Sequence, residues 1–176
     1  MSSVGIILGS DSDLPLIKEC FYILEEFGIN YDVIVSSAHR SPEQTVEWVK
    51  SARGRGVGVI IAAAGGAAHL PGVVASHTTL PVVGIPIETK LAGGLDSLLA
   101  IVQMPSGIPV GTMAAGKSGG ANAALYALNI LSVSDSRIEA QLEAYRKRMA
   151  EKISEKNKKI SEMGLMNYIK KLEAEK

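Results

Sequence analysis

Three short stretches carry side chains suited to chemistry on a phosphorylated substrate. Ser37-Ala38-His39-Arg40 sets a histidine beside an arginine. The arginine's planar fork suits a phosphate bidentately. The imidazole gives and takes protons near neutrality. Gly9-Ser10-Asp11-Ser12-Asp13 gathers serine hydroxyls and freed N–H groups before a helix, where an anion is favoured. Its aspartates would repel a phosphate if they pointed inward, so Asp13 is expected to turn to sugar hydroxyls. The alternative for Ser12 or Asp13 is ordinary capping of the first helix, which is compatible with binding. Ala64-Gly65-Gly66-Ala67-Ala68-His69-Leu70-Pro71 is a run of small residues that lets backbone approach a flat ligand, with His69 able to add a hydrogen bond. Two loop histidines without a Cys or acidic cluster at ligand spacing do not make a metal site. His77 reads as a surface or capping histidine.

A fourth stretch, GTMAAGKSGG at 111–120, matches the phosphate-loop pattern G-x-x-x-x-G-K-[ST] through Gly111, Gly116, Lys117 and Ser118. Three observations count against it. The match follows the fifth apolar run, whereas such loops follow the first strand of their domain. No strand ends in the magnesium-holding Asp that the mechanism needs. Gly119 and Gly120 also suit close helix packing, which needs no ligand.

Elements must bring these stretches together. Val- and Ile-rich runs at 4–8, 31–35, 57–61, 81–85 and 109–113 each predict a strand buried on both faces. Helices are predicted between and after them at 14–27, 42–53, 71–77, 95–102 and 120–131. Ser41-Pro42-Glu43 supplies a capping hydroxyl, a first-position proline and a first-turn acid. The alternation of strand and helix argues for a parallel sheet wrapped by helices. In such sheets ligands bind outside the carboxyl ends of the strands. The candidate loops are then 9–13, 37–40, 63–69, 86–90 and 114–120.

From Asp135 onward the chain is dense in charges. Ile138, Leu142, Tyr145, Met149, Ile153 and Ile160 recur at helical spacing along one face. The expected division is a catalytic domain over 1–134 and a helical extension over 135–176. The apolar stripe covers either a neighbouring subunit, the favoured reading, or the domain's own core.

Across 176 residues, 18 basic and 18 acidic side chains cancel. That balance argues against a nucleic-acid or anionic-membrane partner, and the 5% aromatic content leaves few platforms for stacking bases. Cys20, the single cysteine, reads as a buried structural thiol. The amino-terminal run MSSVGIILGS has no basic segment and is broken by glycine, so a cytoplasmic protein is expected.

Five ordered motifs carry a resemblance: Gly9 to Asp13, Ser37 to Arg40, Gly65 to Gly72, Leu95 to Pro105 (LDSLLAIVQMP) and Gly120 to Ala124. In this order they resemble the signatures of the N5-carboxyaminoimidazole ribonucleotide mutases, the class I purine-biosynthetic carboxylases. The resemblance implies an α/β, flavodoxin-like three-layer αβα sandwich with a parallel five-stranded sheet and an added C-terminal helix. It also implies a homo-octamer with active sites near subunit contacts, and a carboxyl shift from N5 to C4 of the imidazole ribonucleotide without ATP, biotin or metal. By matching motifs, Ser10, Ser12 and Arg40 hold the 5'-phosphate and Asp13 the ribose. Ser37 is grouped with these substrate-binding residues, and His39 handles protons. His69 and the backbone of Gly65 and Gly66 lie by the imidazole and the migrating carboxylate.

The alternatives are the class II reaction, direct carboxylation of aminoimidazole ribonucleotide by CO2, a phosphate-loop hydrolase, and a non-catalytic nucleotide sensor. Ala68-His69-Leu70-Pro71 favours the mutase, because class II members lack that segment. Two departures stand out: Ala63 where the family has glycine, and Ser118 where it often has alanine. The second completes the phosphate-loop pattern by coincidence. Lys117→Ala is therefore expected to leave nucleotide-independent turnover largely intact. Tight ATP binding that vanishes in this variant would overturn that reading of residues 111–118.

Overall fold

The computed structural model describes residues 2–175. Five strands, β1 (Ser3–Leu8), β2 (Tyr31–Val35), β3 (Val57–Ala64), β4 (Val82–Pro86) and β5 (Gly111–Thr112), pair in parallel in the order β2-β1-β3-β4-β5. Helices α1 (Lys18–Glu26), α2 (Pro42–Ala52), α3 (Leu70–Ser76), α4 (Leu95–Val102) and α5 (Lys117–Ser132) cover the two faces. This is the flavodoxin-like order, in which the chain leaves β1 first to one side and then to the other. The carboxyl ends of β1 and β3 flank the reversal, so the loops after them open onto one crevice.

Burial explains the sheet. Val4, Ile6, Ile7 and Leu8 of β1 and Val59, Ile60 and Ile61 of β3 are all fully buried. One core face joins the sheet to α1 and α5, the other to α2, α3 and α4. The expectation of strands buried on both faces fails for β2, where Val33 and Val35 are 38% and 43% exposed. As an edge strand it pairs only with β1 and lacks full cover on either face. At the opposite edge β5 is two residues long, not five.

The first helix also departs from its expected span. Residues Asp11–Ile17 form a 3-10 turn around Pro15, which has no N–H to donate, and regular α-helix begins at Lys18. Cys20 is fully buried in α1, and burial pushes its thiol up to about 12.

The C-terminal extension is two helices, not one: α6 (Ser136–Met163) and α7 (Leu165–Ala174), separated by Gly164 at φ 78. Its stripe divides. Ile138 and Leu142 are buried and Tyr145 packs against the same core, whereas Met149 and Ile153 are 53% and 57% exposed. Burying two aliphatic side chains is worth about 1.5–3 kcal/mol each. The Arg148–Glu26 ion pair, half-exposed at both ends, adds at most about 1 kcal/mol. Apolar anchoring therefore seats the start of α6. Among the described residues no helix is long and apolar enough to cross a membrane.

Helix α5 begins at Lys117, three residues before the expected Gly120, and Gly119 and Gly120 are both buried in its first turn. A Cβ on Gly119 would collide with the carbonyl oxygen of Ala114, and one on Gly120 would lie 3.1 Å from the Ile17 backbone. Close packing thus requires these glycines. Gly119→Ala should lower stability by about 1–3 kcal/mol, outweighing the ~1 kcal/mol that alanine gains in a helix interior. Urea denaturation measures this, and an unchanged or higher midpoint would refute the contact.

Candidate active site

Arg40 joins the first two loops across the crevice: its Nη2 donates to the Gly9 carbonyl oxygen at 2.9 Å. In the β1 loop, Ser10 is extended and caps the 3-10 turn, with its Oγ accepting from the Ser12 N–H. Ser10 is thus the cap, the role that sequence reasoning gave to Ser12 or Asp13. The Ser10 and Ser12 hydroxyls lie 2.8 Å apart. Burial pushes the Asp13 carboxyl above the usual carboxylate range; the Ser12 hydrogen bond opposes this and the Asp11 charge reinforces it. Asp13 is the acid of this loop that lines the crevice.

The loop carrying His39 and Arg40 is held from below. Ser36 continues the ladder past β2 by donating its N–H to the Leu8 carbonyl oxygen, and its buried hydroxyl lies 2.8 Å from the buried Thr45 Oγ1. Ser41 occupies the N-cap position of α2, but its hydroxyl makes no cap bond. It accepts instead from the Ser37 N–H and donates to the Ser37 carbonyl oxygen. The hydroxyl is therefore spent on closing the loop. Ser37 Oγ in turn accepts from the Arg40 N–H.

The third loop leaves β3 through Gly65 and Gly66 and enters α3 at Leu70. Gly66 takes φ 67 and Ala68 φ 42. A non-glycine residue in this left-handed region costs on the order of 1 kcal/mol, so the surroundings must hold it. The Ala68 N–H closes a turn onto the Gly65 carbonyl oxygen, and the Gly66 N–H donates to Ser97 Oγ. The Gly66 N–H is therefore spent on Ser97 and is not free for a ligand. Ala63, the expected glycine, is fully buried on β3 between Leu8 and Ile85, so the strand accommodates its methyl group.

This geometry brings the two histidines together, with His39 Nε2 and His69 Nδ1 3.1 Å apart. A hydrogen bond at that distance requires one nitrogen to carry a proton and the other a lone pair. The pair lies in a cleft of about 480 Å³ lined also by Gly9, Ser10, Asp13, Ser37, Arg40 and Gly65. Ser12 and Gly66 act one step back, through Ser10 and the loop turn. Sequence reasoning named the loop at 86–90 only by position, and Ile87, Glu88 and Thr89 form its wall of the cleft.

Two other regions lack this convergence. A larger hollow of about 990 Å³ includes Lys50, Arg53, His77 and Pro81 and lies at the amino ends of β4 and β5. No residue of the histidine loops faces it, so the chemistry is assigned to the smaller cleft. At the phosphate-loop match, the Glu88 carboxylate packs against Gly116. An acid therefore stands where that motif would hold an anion, and Lys117 is exposed beside a separate hollow. Among the described residues no group of three or more His, Cys, Asp or Glu side chains could hold a metal ion.

Comparison with known proteins gives the family. A family model described as AIR carboxylase matches residues 3–152. The chain is 56% identical over 166 residues to the N5-carboxyaminoimidazole ribonucleotide mutase of Pyrococcus horikoshii, covering 94% of this chain and 93% of that protein. It is 48% identical over 173 residues to the protein of the same name from Thermotoga maritima, covering 98% and 100%. The crystal structure of Treponema denticola PurE superposes with a TM-score of 0.81 at 28% identity, covering 91% of this chain and 99% of that one. The matched span contains all five strands and every loop of the cleft, and the chain belongs to the AIR carboxylase family.

Proposed function

We propose that this chain is an N5-carboxyaminoimidazole ribonucleotide mutase, an isomerase of purine biosynthesis. The observation that carries the reading is the His39–His69 pair beside Arg40 in the switch-point cleft, in a chain whose full-length relatives bear that name. Arg40 and Ser10 take the 5'-phosphate, with Ser12 supporting the Ser10 hydroxyl. Ser37 holds Arg40 in place, and Asp13 meets the ribose hydroxyls.

Protonated His39 gives its proton to N5. The N5–carboxyl bond then breaks, its electron pair staying on N5, and CO2 is released. The small apolar loop over residues 62–68 holds that CO2 and keeps water out. The C4–C5 electron pair of the aminoimidazole attacks CO2 and forms the C4–carboxyl bond. C4 returns its proton to His39, so no proton is gained or lost over the cycle and one group serves as acid and then base. His69 faces the shuttling ring and Gly65 lies by the migrating carboxylate. The steps call for no ATP, metal or organic cofactor. Direct carboxylation of aminoimidazole ribonucleotide by CO2 shares the second half of this path. Supplying each substrate separately distinguishes the two.

The exposed stripe beyond Tyr145 supports assembly as a homo-oligomer, with eight subunits as the family resemblance implies. Met149 and Ile153 of α6 and Leu165 and Met166 of α7 leave apolar surface uncovered in one chain. Ending the chain at Met149 keeps Ile138, Leu142 and Tyr145 on the core. Light scattering should then report fewer subunits per particle, and an unchanged subunit number would exclude the extension from assembly.

His39→Asn retains size and some hydrogen bonding but removes the titratable nitrogen. Its kcat should fall by about 10² to 10⁴-fold, the usual range for a positioned general acid-base, with product affinity changed far less. Arg40→Ala should show the reverse balance, because a lost phosphate contact weakens ground state and transition state together. Steady-state assays with N5-carboxyaminoimidazole ribonucleotide and calorimetry with the product nucleotide measure both. Near wild-type turnover by His39→Asn would end the proton-shuttle role.

A further inference from the structure

Three polar side chains are buried among the described residues: Ser36, Thr45 and Ser97. The first two lie beneath the loop of His39 and Arg40. Ser97 reaches the site from elsewhere, from the first turn of α4. It is fully buried, and its Oγ accepts the Gly66 N–H at 2.9 Å. A hydroxyl withdrawn from water among apolar neighbours costs stability unless it is bonded, so its partner matters. The preceding residue, Asp96, accepts from Thr89 Oγ1 at 2.7 Å, and Thr89 lines the cleft. The start of α4 thus grips two of the cleft walls through adjacent residues.

We propose that Ser97 is a positioning residue for the histidine pair: its hydroxyl holds Gly66 in the turn that delivers His69 to His39. Two residues separate Gly66 from His69, and two conformations within the turn, Gly66 and Ala68, are left-handed. One end of the segment is anchored where Leu70 and Pro71 are buried at the start of α3. The other end is anchored by the Ser97 bond. Without it, the peptide at Gly66 is free to turn and Ala68 can relax out of the left-handed region. Either movement swings His69, whose exposed ring has His39 as its hydrogen-bond partner among the described residues. The phosphate end of the cleft rests on separate bonds, between Arg40 and Gly9 and between Ser10 and Ser12. Ser97 therefore acts on the reacting end alone. What the histidine pair does chemically rests on the function proposed above; its geometry does not.

The test compares the full-length protein with Ser97→Ala, which removes the acceptor, and Ser97→Cys, which keeps the shape and a weak acceptor. Three quantities are measured: turnover of N5-carboxyaminoimidazole ribonucleotide, calorimetric affinity for the product nucleotide, and the ring-nitrogen NMR resonances of the histidines without ligand. Ser97→Ala should lower kcat by about 10- to 100-fold, as expected for a misplaced reacting group, with product affinity nearly unchanged. The His39 and His69 ring resonances should shift, and Ser97→Cys should fall between Ser97→Ala and wild type. Wild-type kcat in Ser97→Ala, or an equal loss of turnover and affinity, would overturn the assignment. A wild-type protein inactive on this substrate would instead defeat the proposed function. The ring resonances then decide the positioning role, and unshifted resonances in Ser97→Ala would overturn it.

Discussion

The site depends on keeping irregular backbone in one shape over the carboxyl end of a parallel sheet. Reversal of strand order beside β1 makes the loops after β1, β2 and β3 converge. Loop backbone, however, has no ladder to satisfy its polar groups, and each one left unpaired away from water is costly. The structure answers with hydroxyls placed under the loops. Ser36 and Thr45 brace one, Ser97 holds another, and Ser41 closes the loop that its position would have led it to cap. Every buried polar side chain among the described residues belongs to this scaffold, while the rest of the buried core is apolar.

Electrostatics follows from that placement. Arg40 is turned by its bond to the Gly9 carbonyl oxygen toward the loop whose serines would share a phosphate with it. Asp13 lines the cleft partly withdrawn from water, and that burial raises its carboxyl above the usual carboxylate range. At the other glycine-rich turn the Glu88 carboxylate lies against Gly116, where its charge opposes an anion.

Strain is concentrated in the same region. Ala68 adopts a conformation that glycine would accept at no cost, directly before His69. The cost is offset by neighbouring bonds, and its consequence is the 3.1 Å approach of the two imidazoles. Elsewhere in the chain the left-handed conformations recorded fall on glycines.

Much of this was legible in the sequence because it depends on local rules. Apolar runs of strand length, separated by amphipathic segments, specify a parallel α/β sheet, and the rule for open sheets points to the loops at 9–13, 37–40 and 63–69 before any coordinate is known. The identities of His39, Arg40 and His69 come from the same loops. What tertiary structure decided are relations between segments distant in the chain. These include the 3.1 Å pairing of His39 with His69, thirty positions apart, the capture of the Gly66 N–H by Ser97, and the choice of Ser10 as cap. Sheet position stripped β2 of cover that its composition led one to expect, and core contact drew the first turns of α6 inward while leaving the rest exposed. The physical reason is common to all of them. Periodicity and propensity act within a few residues, whereas which hydroxyl finds which amide, and which apolar face is covered, depends on surfaces that exist only once the sheet has formed.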